Sequence, residues 1–286
     1  MTAFTIEALP RSRRGSGSLA SRIGIAIVAV ALAIALVGPW LYTHDPYDQD
    51  FAAMAAAPSP EHWFGTDELG QDVYSRLLLG CRLSLVIGVS AALVALLAGG
   101  ALGLAAVAAG GFVEFATFAL IDLVRAMPGI LFALAMVVAL EPGTFSVILA
   151  LGISFAPIFA RVVRATYERE SAMPYVAAAR TFGAGPIRAA FRHVLPNIAG
   201  ALITQLAIIV PRCIVLESVL SFLGLGVSPE TPTWGRMIAT GITTIEEAPS
   251  AALVPVIALS LLTLGLSLLG DRVRLAFDPL RRERKS

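Results

Sequence analysis

The chain has 286 residues, of which 57% are hydrophobic and 14% charged, and its mean hydropathy is +0.81. That composition excludes an ordinary water-soluble domain, which needs far more polar surface to cover its core. A net charge of +1 argues against a polyanionic partner such as a nucleic acid. Two cysteines, Cys81 and Cys213, lie in separate segments and offer neither a disulfide framework nor metal-ligand spacing.

A helix of about 20 mostly apolar residues crosses the ~30 Å hydrocarbon layer of a bilayer. An N-terminal tail, residues 1–22, leads into a first apolar run at 23–41, taken as a transmembrane helix over 23–42. This run is longer than the apolar region of a cleavable signal peptide and five more follow, so it reads as an uncleaved signal-anchor. A polar loop spans 43–82. The region 83–270 holds five further predicted spans, at 83–109, 115–140, 145–163, 198–222 and 251–269, with a polar connection at 164–197. A short tail, 271–286, closes the chain. The expectation is an all-α integral membrane protein with six transmembrane helices.

Arginine placement predicts the orientation, because basic residues are retained on the cytoplasmic side. Arg11, Arg13, Arg14 and Arg22 precede the first span. Arg161, Arg164, Arg169, Arg180, Arg188 and Arg192 fall around the connection between spans four and five, and Arg272, Arg274, Arg281, Arg282, Arg284 and Lys285 follow the last. In contrast, the stretch 43–75 carries seven acids and no Lys or Arg. Six spans with both termini in the cytoplasm put every basic cluster on one side.

No enzyme signature is present. A phosphate-binding loop needs a lysine directly after glycine, and the only lysine, Lys285, follows Arg284. His44, His62 and His193 have no second His or Cys at ligand spacing. The expectation is therefore no catalytic residue, no metal and no cofactor bound by this chain. Charges inside the spans are costly and demand a reason. Asp122 and Arg125, three apart, share a helix face and can pair, whereas Arg212 and Glu217, five apart, fit one face poorly. Either these are structural pairs, or Asp122, Glu217 and Ser221 line a polar translocation path.

The connection 164–197 contains Tyr175-Val-Ala-Ala-Ala-Arg-Thr-Phe-Gly183 and runs on to Leu195-Pro196-Asn197. It predicts a short helix after Pro174 closed at Gly183, then a second from about Pro186 that stops before Pro196. Tyr175, Val176, Ala179 and Phe182 recur at helical spacing and form one apolar face flanked by Arg180. Such a face serves either as a docking knob for a soluble partner or as an interfacial helix lying on lipid headgroups.

This segment resembles the EAA loop of ABC-importer permeases, with Ala178, Ala179, Gly183, Leu195 and Pro196 in register. Ala177 stands where that motif has Glu, and His193 where it has Ile. Further blocks are similar to the dipeptide/oligopeptide/nickel permease family, specifically its "C" member. They are His62-Trp-Phe-Gly-Thr-Asp67 through Gly70-Gln-Asp72, Arg125-Ala-Met-Pro128, Glu217 through Gly226 with Pro232-Thr-Trp234-Gly235, and Leu269 through Pro279. Gln71 replaces the usual Arg of the Gly-Arg-Asp block. The resemblance implies the type I ABC importer permease fold, with 174–183 as the coupling helix. Tyr175, Val176, Ala178, Ala179, Arg180, Phe182, Gly183, Leu195 and Pro196 would then contact an ATPase. It implies a second, homologous permease, two ATP-binding subunits carrying ATP and Mg, and an external solute-binding protein facing the acidic loop.

The rival expectation is a stand-alone proton-driven carrier with Glu114, Asp122 or Glu217 as the proton site. A membrane enzyme finds no constellation. The solute stays open among dipeptides, longer peptides, glutathione, nickel chelates and haem. The arginine segregation predicts that topology reporters fused at Asp50 and Arg188 are active on opposite faces of the membrane. Activity of both on one face would refute six spans.

Overall fold

A computed structural model describes residues 16–228 and 230–277. The basic residues of both tails (Arg11, Arg13 and Arg14; Arg281, Arg282, Arg284 and Lys285), with Asp278 and Pro279, lie outside that range. All regular structure within it is helical, apart from one isolated bridge between Thr66 and Asp72.

Helix α1, Ser16–Val37, ends in a 3-10 turn at Gly38–Trp40, where Pro39 fits the first turn. The longest helix, α2, covers Val73–Ala109, and α3 covers Gly111–Ala126. Next come α4, Gly129–Leu140, and α5, Thr144–Ser171. Helix α6, Pro174–Thr181, and α7, Pro186–Ala189, are short. A π-helical turn at Ala190–Val194 then leads into α8, Leu195–Phe222. Helices α9, Trp234–Gly241, and α10, Pro249–Ala276, complete the order.

Five of these segments are long and apolar enough to cross a membrane, and the α3–α4 pair makes six if it counts as one span. That pair corrects the sequence expectation of a continuous third span at 115–140. The two helices meet at 94°. The cause is Pro128, which lacks an N–H and forces the residue before it out of the helical region. Met127 accordingly sits at φ −82°, ψ 138°.

A second correction concerns Pro196. The helix beginning at Pro186 does not stop before it; it runs through to Phe222, with Pro196 in the first turn of α8. A proline inside a helix clashes with the carbonyl four residues back, and a widened π turn relieves such crowding. The π turn occupies the residues immediately before Leu195-Pro196.

Helices α2 and α5 form the tightest crossing, because small residues let their backbones meet. A Cβ on Gly99 would collide with the Ala156 carbonyl, and one on Gly103 would come within 2.8 Å of Ala160 Cα. Around this contact lies the main core, including Ile87, Ala91, Ala95, Leu151, Phe159 and Val163, all fully buried. Helices α1 and α10 cross the same way, Gly24 against Leu268 and Gly265 against Ile27. Lipid is as apolar as leucine, so close packing rather than water exclusion holds such helices together.

The arginine-bearing segments that flank the spans gather at one end. Arg272 donates to Ser21 at 3.0 Å, and Gly200 packs on Phe277, so the α1 N-terminus, the α5–α8 connection and the α10 C-terminus gather together. At the opposite end the acidic connection between α1 and α2 meets the turn after α9, and α9 packs on the start of α2. Thr243 donates to Glu68 at 2.8 Å, and the Trp234 indole donates to the Leu77 carbonyl at 3.0 Å.

Gly99→Leu is expected to force α2 from α5 and cost about 1–3 kcal/mol or more, seen as reduced membrane abundance and a lower thermal midpoint. Gly100→Leu, with only Leu96 Cδ1 at 4.0 Å, should be tolerated. Equal behaviour of the two variants would refute the close crossing.

Candidate functional site

Helix α6 begins at Pro174, and Gly183 closes it at φ +87°, the left-handed turn expected from the sequence. The Ala184 N–H bonds back to the Ala179 carbonyl and the Gly183 N–H to that of Arg180. The chain then turns and restarts at Pro186.

The proposed single apolar face divides in two. Val176 is fully buried and anchors α6 in the main core. Tyr175 is 40% exposed, and its hydroxyl donates to Glu170 at 2.6 Å and accepts from Asn197 Nδ2 at 2.8 Å. This ties α6 to α5 and α8. Burial and the Glu170 carboxylate push the phenol up to about 12, so it stays a donor. Phe182, in contrast, is 89% exposed, and Ile187 and Phe191, further along the connection, are exposed as well. Ala178 and Arg180 are exposed, Ala179 and Leu195 half-buried, and Pro196 exposed. Arg180 has no ion pair among the described residues. The apolar face expected from the sequence included Phe182 but neither Ile187 of α7 nor Phe191 of the π turn, which are exposed too.

The intramembrane charges pair differently from the sequence expectation. Asp122 bonds to Arg161 of α5, not to Arg125. Arg164 of α5 lies 3.1 Å from Glu114 of α3 and stacks over Phe118 at 4.5 Å. Two arginines of α5 therefore hold α3. Glu217 is fully buried; it accepts from Ser221 at 2.8 Å, from Ser218 at 3.4 Å and from Ser84 of α2 at 3.5 Å. Ser221 is buried with it.

Arg212 projects from a different side of α8. Five residues on a helix subtend about 500°, so Glu217 and Arg212 lie about 140° apart. Arg212 is exposed and makes no ion pair among the described residues. It lines a groove of about 520 Å³ with Phe155 of α5 and Thr263, Ser267 and Asp271 of α10. An arginine seventeen residues into α8, about 25 Å along it, calls for water, a solute or a partner beside it.

The chain belongs to the binding-protein-dependent permeases of ABC importers. Residues 80–283 match the family described as the binding-protein-dependent transport system inner membrane component. Residues 20–58 match the N-terminal TM domain of oligopeptide transport permease C. A glutathione transport system permease protein of Pectobacterium atrosepticum is 34% identical, covering 91% of this chain and 88% of that one. A dipeptide transport system permease of Bacillus subtilis is 36% identical over 97% of this chain and 86% of its own length. A di/tripeptide transport system permease of Pseudomonas aeruginosa is 37% identical over 90% and 86%. The inward-facing MetNI methionine ABC transporter shares the fold at a TM-score of 0.59 and 18% identity, covering 71% of this chain and 96% of that one. The protein is thus a multi-pass permease of the bacterial inner membrane with the type I importer fold. Nothing in these matches favours the stand-alone proton-driven carrier.

Removing the buried carboxylate with Glu217→Ala strands Ser84, Ser218 and Ser221 and should cost about 2 kcal/mol or more. Glu217→Gln, which keeps an acceptor, should cost less. Thermal unfolding of the purified protein tests this, and equal midpoints for the three proteins would remove Glu217 as the tie between α2 and α8.

Proposed function

We propose that this chain forms half of the translocation pathway of an importer for small peptides or peptide-like solutes such as glutathione. It works beside a homologous permease, two ATP-binding subunits that carry ATP and Mg, and an extracytoplasmic binding protein. The chain itself performs no catalysis. The names of the relatives support the solute class. The arginine-rich end faces the cytoplasm, on the retention rule for basic residues, and the acidic 43–82 connection faces the binding protein.

The observation that carries the coupling role is the exposure of Phe182 at the end of α6, of Ile187 in α7 and of Phe191 in the π turn that follows. An apolar helical surface at the charged end of a membrane protein suits a groove on a soluble partner. The buried Val176 and the Tyr175 hydroxyl network make that surface rigid relative to α5 and α8. Movement imposed by the ATPase is thereby passed to the spans rather than absorbed by a loose loop.

The solute path runs along the face of α8 that carries Arg212. A guanidinium binds a carboxylate in a bidentate pair, and Asp271, in the same groove but not paired with it, suits an amino group. One cation and one anion held apart in an apolar groove match the two ends of a zwitterionic peptide. Asp122, Glu217 and Ser221 take structural roles in this reading, since their partners lie within the chain.

Gly183→Val should lower uptake and transport-linked ATP hydrolysis several-fold in the reconstituted complex, because a β-branched residue strains a backbone at φ +87°. Membrane abundance should not change, since nothing lies within 4 Å of the added Cβ. Gly185→Val, at φ −64°, and Ala177→Glu, on the exposed side of α6, should both transport normally. Normal transport by the Gly183 variant would make this loop a membrane-surface helix instead.

A further inference from the structure

We propose that His44, His62 and Asp72 form a binding site for a divalent transition cation of the zinc class, clasping the two ends of the connection between α1 and α2. The three residues are 18 and 10 positions apart in sequence, and the fold brings them together. One ligand atom from each lies within 4.8 Å of the others. His62 Nδ1 is 3.0 Å from Asp72 Oδ1, and the His44 and His62 rings stand 4.5 Å apart at a tilt of 32°.

Each residue is held by the fold for its own reason. Asp72 caps α2: its Oδ2 accepts from the Ser75 N–H at 2.8 Å and from Thr43 Oγ1 at 3.0 Å. Those bonds fix the carboxylate and leave Oδ1 turned to the imidazole. Ser75 Oγ in turn accepts from the Thr43 and His44 N–H groups, both at 3.2 Å, which sets His44 beside the cap. The Ser59 hydroxyl accepts from the His62 N–H at 3.0 Å and steadies the turn before the second ligand.

The donor set selects the ion. Two imidazoles and one carboxylate suit zinc, whereas calcium and magnesium prefer six or more oxygens. Tetrahedral zinc with bonds of about 2.0–2.2 Å places its ligand atoms about 3.3 Å apart. The pair at 3.0 Å already has nearly that spacing, and His44 closes the rest by side-chain rotation. A neutral His62 ring with its proton on Nε2 offers Nδ1 to the cation, which replaces the hydrogen bond between Nδ1 and Asp72 Oδ1. Asp72 is fully buried and His62 partly so, but His44 is exposed and lines an open cavity of about 630 Å³. That cavity gives the ion a way in and leaves a fourth position for water. The bound ion would lock residue 44, just beyond α1, to the first turn of α2.

The test uses the full chain, purified without a histidine tag and stripped with a chelator, then titrated with zinc against a competing indicator dye. One zinc per chain is expected, with cobalt giving the visible absorption of a tetrahedral site. His44→Ala should weaken zinc binding by about tenfold or more while leaving the thermal midpoint of the metal-free protein unchanged, because His44 is exposed. His193→Ala, at the far end of the molecule, should bind like the parent. Zinc should protect the 43–72 segment from proteolysis in the parent and not in His44→Ala. Binding by the parent no tighter than by His44→Ala, or a stoichiometry that His193→Ala lowers equally, would overturn the proposal.

Discussion

Hydrocarbon offers a backbone N–H or C=O no partner, and an unsatisfied group there costs several kcal/mol, so the chain must bond to itself wherever it crosses the membrane. This constraint explains why the regular structure described is helical and why irregular backbone sits at particular places. The Met127–Pro128 break divides what hydropathy reads as one span, and each half keeps its own ladder. The π turn at Ala190–Val194 lets Pro196 enter α8 without ending the helix. The remaining turns lie at the two ends of the bundle, where water or side chains such as Asp72 and Thr233 take up the free amides.

Once helices are obligatory, how they associate follows. The hydrophobic effect does not distinguish a leucine facing lipid from one facing a helix, so backbone approach decides the contacts. Gly99 and Gly103 let α5 settle on α2, and Gly24 and Gly265 do the same for α1 and α10. The resulting frame is stiff at the centre and leaves broad apolar faces outward on α1, α3 and α10, as a membrane subunit with lipid and partner neighbours requires.

Charge is then placed by what the frame provides. Arg161 and Arg164 hold α3 through Asp122 and Glu114, and Glu217 joins α8 to α2 through serine hydroxyls. Arg212 is left without an ion pair among the described residues, on the opposite side of the same helix. A single helix thus separates a structural carboxylate from an available cation. The α6 segment shows a similar division, with Val176 buried in the core and Phe182 exposed.

Much of this was determined by the sequence alone. Apolar run lengths gave the membrane class and located five of the six spans, because helix rise and bilayer thickness are fixed lengths. Spaced glycines and prolines set the bounds of α6 and the left-handed turn at Gly183, because those residues act through their own backbone. Motif blocks in order identified the family. Tertiary structure decided whatever depends on partners distant in sequence. Asp122 chose Arg161, 39 residues away, over Arg125 at three, since α5 presents its guanidinium where α3 needs one. Ile187 and Phe191 are exposed because Ala189, Ala190 and Val194 of the same segment pack inward. The meeting of His44 with His62 and Asp72 was equally hidden, because ligand geometry is a matter of distance in space and a folded loop leaves no regular spacing in the sequence.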